Sequence, residues 1–333
     1  GALLFYPAAE MVEYAYFLGA LFVIASGLAF LETSANPLMT VMGPPEEADR
    51  RLNFAQSFNP LGAITGVVLG SHLIFSDVQL TPEHIVGLSQ HELDALYAAE
   101  ARAVQLPYLA LGLFVFFWAA LVMLVRFPRV DEQDAGSERT SVVGSFRALR
   151  SYPRFWFGVI AQFFYVGAQV GLWSYLIRYT QYNLPGTLER EASGFLTASL
   201  VLFMAGRFIG TALMRRYPAS ALMAVFAASA TALSIVAAVA GGYVGLYALV
   251  AVSFFMSIMF PTIFSLSLRG LGEHTKSGAS FLVMAIVGGA LLTAVMGRIS
   301  DATSINTAIG VPAFCFCVVL AFAWFAWRND RRA

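Results

Sequence analysis

Residues 30–43 read Phe-Leu-Glu-Thr-Ser-Ala-Asn-Pro-Leu-Met-Thr-Val-Met-Gly, the later part of an apolar stretch that begins near Tyr14. A helix of that length crosses a bilayer, which puts Glu32 in hydrocarbon. An ionisable side chain such as Asp near the centre of a span costs about 2.5–3.5 kcal/mol on insertion scales. Two readings account for a carboxyl there. It is a neutral packing group hydrogen-bonded to its neighbours, or it carries protons or binds a ligand, the usual occupation of ionisable groups at that depth.

The composition sets the class. The 333 residues are 59% hydrophobic and 12% charged, with a mean hydropathy of +0.71, where a soluble domain is about one quarter charged. The fold class is therefore an all-α polytopic membrane protein, with the lipid bilayer as its surroundings. Twenty Lys and Arg balance twenty Asp and Glu, so no nucleic acid is expected as a partner. Cys315 and Cys317, two apart in one apolar run, suit neither a disulfide nor a metal site. The four histidines, His72, His84, His91 and His274, show no ligand spacing, and no metal is expected. Without a Walker loop, a His-Glu-x-x-His zinc signature or a Gly-x-Ser-x-Gly elbow, neither an enzyme nor a cofactor is expected.

Gly1 to Pro7 reads as the last turns of a helix. Nine segments of spanning length follow, near 13–42, 54–76, 103–126, 154–180, 192–214, 219–240, 243–269, 277–298 and 307–327. Two hydrophilic connections exceed a tight turn: 77–102, rich in acids, and 127–153, which holds Arg129, Arg139, Arg147 and Arg150. With 127–153 on the cytoplasmic side and the spans alternating, fifteen of the twenty Lys and Arg fall on that side. This is the positive-inside pattern, and it places the C-terminus in the cytoplasm. The basic connection divides the chain into a remnant of an N-terminal helical bundle (1–126), a cytoplasmic linker (127–153) and a C-terminal six-helix bundle (154–333). A faint echo relates the halves. The 13–42 helix is expected to break at Asn36-Pro37 and end in Gly43, and the 243–269 helix to break at Phe260-Pro261 and end in Gly270. Parallel repeats of this kind mark two-bundle transporters.

Several polar residues sit where lipid disfavours them. Asn36 follows Glu32 by one turn on the same helix face. Pro37 leaves the Thr33 carbonyl without its helical donor, and Pro60 does the same to Gln56. Gln56 and Asn59 step along one face with Ala63, Gly66 and Gly70. Their amides offer both donors and acceptors, suited to a polar ligand or to Glu32. Gly62, Gly66 and Gly70 predict close helix packing. In 154–180, Gln162, Gln169 and Trp173 share a face, with Tyr165 nearby. Amides that bond hydroxyls beside rings that cover C–H faces suit a sugar; the competing reading is an aromatic packing helix whose amides bond across helices. Arg207, in Gly-Arg-Phe-Ile-Gly, is expected to snorkel or to form a gate.

With these residues in view, the sequence resembles the fucose–proton symporter family of the major facilitator superfamily, the fucose, galactose and glucose permeases. The resemblance runs through Pro7-Ala8-Ala9-Glu10, Leu31-Glu32-Thr33-Ser34-Ala35-Asn36-Pro37 and Arg51-Leu52-Asn53-Phe54-Ala55-Gln56-Ser57-Phe58-Asn59. It continues through Tyr165-Val166-Gly167-Ala168-Gln169, Trp173-Ser174-Tyr175-Leu176-Ile177-Arg178-Tyr179, Gly206-Arg207-Phe208 and Pro261-Thr262-Ile263-Phe264-Ser265-Leu266. It implies two six-helix bundles around a central cavity that opens alternately to each side. It puts the family's intramembrane Glu at Glu32, with roles in proton coupling and sugar binding, and its cavity amides at Gln56 and Asn59. It also implies that two spans and most of a third, roughly 90–100 residues at bilayer lengths, precede Gly1, with an acidic partner of Glu32 among them. Phe260 stands where some of the family carry a tyrosine, which would alter the sugar preference.

The expectation is a proton-coupled secondary transporter of the bacterial inner membrane, monomeric, importing a hexose or deoxyhexose. Glu32 would carry the proton and touch the sugar; Asn36, Gln56, Asn59, Gln162, Gln169, Trp173 and Phe260 would line its site. The alternative is a truncated, non-transporting remnant or a membrane sensor of the same fold. An intramembrane enzyme would need a nucleophile and base, and Glu32 has no Ser, His or Asp partner at helical spacing.

Overall fold

The computed structural model describes residues 1–73, 89–125 and 149–331, and among them every regular element is a helix. Eight helices in the described residues are long and apolar enough to cross a membrane: Tyr14–Val41, Gln90–Leu124, Pro153–Asn183, Glu191–Leu213, Ala219–Ala240, Gly242–Leu268, Gly272–Ala302 and Ile305–Asp330. The expected span 54–76 is represented by Phe58–Leu73, beyond which the chain leaves the described residues. Most of the expected linker 127–153, and half of the connection 77–102, also lie outside them.

The helices are α1 (Phe5–Met11), α2 (Tyr14–Val41), α3 (Ala48–Gln56), α4 (Phe58–Leu73), α5 (Gln90–Ala103) and α6 (Gln105–Leu124). They continue as α7 (Pro153–Asn183), α8 (Glu189–Leu213), α9 (Ala219–Ala240), α10 (Gly242–Met256) and α11 (Met259–Leu268). The last are α12 (Thr275–Met284), α13 (Gly288–Ala302), α14 (Ile305–Ala308) and α15 (Gly310–Asp330). Two units emerge from their contacts. One is Gly1–Glu32 with Ala63–Glu132; the other is Thr33–Gly62 with Gln133–Ala333.

In the first unit, α1 packs on α5 and α6. The Phe5 ring stacks on Tyr108 at 3.8 Å between centroids, and Gln105 Nε2 donates to the Tyr6 carbonyl at 3.1 Å. Gly112 lets the opening turn approach, since a Cβ there would meet Leu3 at 2.8 Å. The start of α5 is closed by a capping box, in which Ser89 and Glu92 satisfy each other's backbone amides.

The second unit is built around α7, which touches α8, α10, α11, α13 and α15. Small residues let the backbones close up, as membrane helix packing requires. A Cβ at Gly158 would lie 1.8 Å from Ser267 Oγ, and one at Gly206 would lie 2.3 Å from the Phe254 carbonyl. At Gly62 and Gly66 nothing among the described residues lies within 4 Å of an added Cβ, while Leu52, Asn53, Ser57 and Pro60 are buried; the surroundings of Gly70 lie outside the described residues.

Prolines divide the two halves of the echo differently. α2 runs unbroken through Pro37 to Val41, against the break expected at Asn36-Pro37. Membrane helices tolerate an internal proline when the freed carbonyl finds another partner. The 243–269 segment does break, at Ser257 and Ile258, one turn before Pro261. Both segments end on glycines with positive φ, Gly43 at 141° and Gly270 at 79°. Beyond α2 the freed carbonyls are gathered by one side chain. Arg51 donates from Nη2 to Thr40 at 2.9 Å, from Nη1 to Pro44 at 2.7 Å and from Nε to Met39 at 3.3 Å, a cation at a helix C-terminus.

Candidate functional site

Three elements of the second unit bring the polar residues together. Asn36, on the last turns of α2, is 4% exposed. Gln56, the last residue of α3, donates from Nε2 to Asn36 Oδ1 at 2.7 Å. One turn earlier, Asn53 is fully buried and donates from Nδ2 to Thr262 Oγ1 of α11 at 3.0 Å. The amides of α3 therefore face protein on two sides, α2 and α11.

Pro60 removes the donor that would bond the Gln56 carbonyl, and α3 ends there. Arg207 of α8 fills the gap: its Nη1 donates to the Gln56 carbonyl at 2.8 Å and its Nε to the Ser257 carbonyl at 2.6 Å. The guanidinium lies over the Phe203 ring, 4.5 Å from its centroid, a cation–π arrangement. Arg207 is 3% exposed, so it does not snorkel, the first of the two roles expected for it. Buried carbonyls hold it in place.

Phe203 leads on to the aromatic residues. Trp173 meets it edge to face at 5.0 Å and donates from Nε1 to Ser253 Oγ at 3.3 Å. Ser253 in turn is hydrogen-bonded to Ser199. Tyr165, fully buried, donates to the Met256 carbonyl at 3.0 Å and tilts against Phe260 with centroids 6.4 Å apart. The broken turn between α10 and α11 is thus held at Met256 by a phenol and at Ser257 by a guanidinium.

The remaining site residues are placed as follows. Trp173, Gln169 and Phe260 are half-buried and Asn59 is exposed. Gln162 is wholly buried, and among the described residues neither atom of its amide has a hydrogen-bond partner. It lies on α7 between Gly158, which touches Ser267, and Tyr165, and is shut off from solvent in this conformation. Glu32 belongs to the other unit; it is partly exposed and engaged. Among the described residues no group of His, Cys, Asp and Glu could hold a metal ion.

A second cluster went unremarked in the sequence. Asp49, in the first turn of α3, pairs with Arg269 at the end of α11 and accepts from Ser265. Arg269 reaches Asp330 at 3.6 Å, and Arg154 pairs with Asp330 at 3.1 Å. All four charges sit at helix ends. Burial pushes the Asp49 carboxyl above the ordinary carboxylate range, against the pull of Arg269 and the Ser265 hydroxyl. Asp49, Ser265, Arg269 and Asp330 line a cavity of about 870 Å³ with Tyr217 and Met214. None of Asn36, Gln56, Trp173 or Phe260 lines it, so it is separate from the amide and aromatic site. The available signal was one acid, Asp49, standing directly before Arg50 and Arg51 at the foot of a span.

A helical multi-pass membrane protein with buried amides, an aromatic row and proline-broken helices is built as secondary transporters are. Residues 1–294 match the Major Facilitator Superfamily, and the chain belongs to that superfamily and, within it, to the fucose–proton symporter family. It is 44% identical over 328 residues to the L-fucose-proton symporter of Escherichia coli (strain K12), covering 98% of this chain and 75% of that protein. It is 38% identical over 339 residues to a putative glucose/galactose transporter of Helicobacter pylori, covering 100% of this chain and 79% of that protein. The crystal structure of the transporter FucP in the outward conformation superposes with a TM-score of 0.88 at 44% identity, covering 98% of this chain and 79% of that one. The family is one of transporters, not enzymes.

Proposed function

We propose that this protein imports a hexose or deoxyhexose, of the L-fucose or galactose/glucose class, together with a proton across the bacterial inner membrane, as a monomer with its C-terminus in the cytoplasm. Two bundles, 1–126 and 154–333 joined by the linker 127–153, would exchange access to a site near the bilayer midplane. The observation that carries the reading is the Asn36–Gln56 amide pair, one helical turn from Glu32. Buried amides offer paired donors and acceptors to sugar hydroxyls, and Trp173 and Phe260 supply flat apolar faces for C–H groups. The names of the relatives, L-fucose-proton symporter and glucose/galactose transporter, support the same reading.

Sugar-facing residues are Glu32, Asn36, Gln56, Asn59, Gln169, Trp173 and Phe260. Gln162 stands behind them in the bundle core. Glu32 takes up the proton, and sugar affinity differs between its two protonation states; that difference couples the two movements. The test is uptake of labelled fucose, galactose and glucose into proteoliposomes under an inward proton gradient. One of the three should accumulate above its outside concentration and lose that accumulation when the gradient is collapsed. Absence of uptake for all three would favour a non-transporting sensor of the same fold.

A further inference from the structure

Arg207 touches two carbonyls that share one history. Gln56 stands four residues before Pro60, and Ser257 stands four residues before Pro261. Each carbonyl has lost the amide that an unbroken helix would give it. The two helices lie far apart in sequence, yet one guanidinium takes both carbonyls, at 2.8 and 2.6 Å. Away from water, an unpaired carbonyl is costly, so neither break is stable without a donor from outside its own helix.

Only arginine suits this place. Its planar fork presents several donors in fixed directions and keeps its charge. A lysine ammonium, a single point on a flexible stem, would alternate between the two carbonyls and fix neither. The fork is steadied by the Phe203 ring beneath it, and Phe203 is itself braced by Trp173. The break between α3 and α4 carries Gln56 and Asn59, while the break between α10 and α11 precedes Phe260. Through Arg207, the amide wall and the aromatic wall of the proposed sugar site are set to one reference.

We propose that Arg207 is a positioning residue, a two-pronged clasp that ties the two proline-broken helices together and releases one carbonyl when they move during transport. The release step rests on the transport reading above; the clasp itself does not.

The experiment is hydrogen–deuterium exchange on the protein in proteoliposomes, read at segments 53–62 and 254–264, for wild type, Arg207→Lys, Pro60→Ala and the double variant. Arg207→Lys should speed exchange in both segments together, by about tenfold or more, the weight of a hydrogen bond to a charged group. Pro60→Ala gives the Gln56 carbonyl its own amide. It should slow exchange in 53–62, and in its presence Arg207→Lys should disturb 254–264 alone. Sugar affinity is measured alongside, and it should fall about tenfold in Arg207→Lys and recover in part in the double variant. Exchange that changes in only one segment, or an Arg207→Lys effect on 53–62 that Pro60→Ala does not relieve, would overturn the clasp. The exchange readout needs no sugar. Linked exchange in a protein that carries none would keep the clasp and sink the transport reading, and sugar uptake without linked exchange would do the reverse.

Discussion

Gln56 Nε2 donates to Asn36 Oδ1 at 2.7 Å, so the amide closest along the helix to Glu32 is already bonded to the amide at the end of α3. A sugar that binds here meets two side chains that fix each other's orientation. Asn36→Ala or Gln56→Ala should each lower sugar affinity roughly 5–100-fold, the equivalent of about 1–3 kcal/mol. The double variant should cost less than the sum, because each single change already breaks the shared bond. Equilibrium binding of the transported sugar checks this; strict additivity would mean the amides act independently.

Gln162 carries the opposite expectation. Its amide is buried with no partner on either atom among the described residues, a standing cost of about 1–3 kcal/mol. Gln162→Met keeps the shape and removes the polar atoms. The melting temperature in detergent should rise, and sugar affinity should stay within about threefold of wild type. A large loss of affinity would instead make Gln162 a sugar ligand reached in another conformation.

Arg51 closes the end of α2 through three carbonyls. Arg51→Ala should lower stability by roughly 1–3 kcal/mol, and Arg51→Lys by less, since one ammonium can still meet a carbonyl. Thermal melting of the two variants ranks them. Equal losses would show that the fork is not what matters.

Asp49 gives a pH dependence. Its carboxyl is raised by burial, so the folded protein holds that proton more tightly than the unfolded chain does. Its contribution to stability is therefore complete at low pH and declines as the pH climbs through the folded value. Asp49→Asn has no proton to lose there. The difference in melting temperature should move in favour of the variant from acid to neutral pH. Movement the other way would mean that the attraction of Arg269 outweighs burial.

Much of this was legible in the sequence for local reasons. Proline removes one donor at a known offset, so the free carbonyl at Gln56 and the weak turn before Pro261 could be read from two residues each. Hydropathy and length located eight of the nine expected spans among the described residues, and glycine marked the ends at Gly43 and Gly270. What escaped notice depends on distant segments meeting. Nothing near Arg207 in the chain says that Gln56 and Ser257 will face it, and nothing near Asp49 announces Arg269 and Asp330. Pro37 misled for a related reason: whether a proline breaks a helix depends on what else can bond the carbonyl it frees. Gln162 shares its helix face with Gln169 and Trp173, and periodicity alone cannot tell the buried end of that face from the open one.

The most direct test of the account concerns Glu32. In proteoliposomes with an inward proton gradient, wild type should accumulate its sugar, and Glu32→Gln should fail to accumulate it. Undiminished concentrative uptake by Glu32→Gln would contradict the claim that this carboxyl couples sugar to the proton.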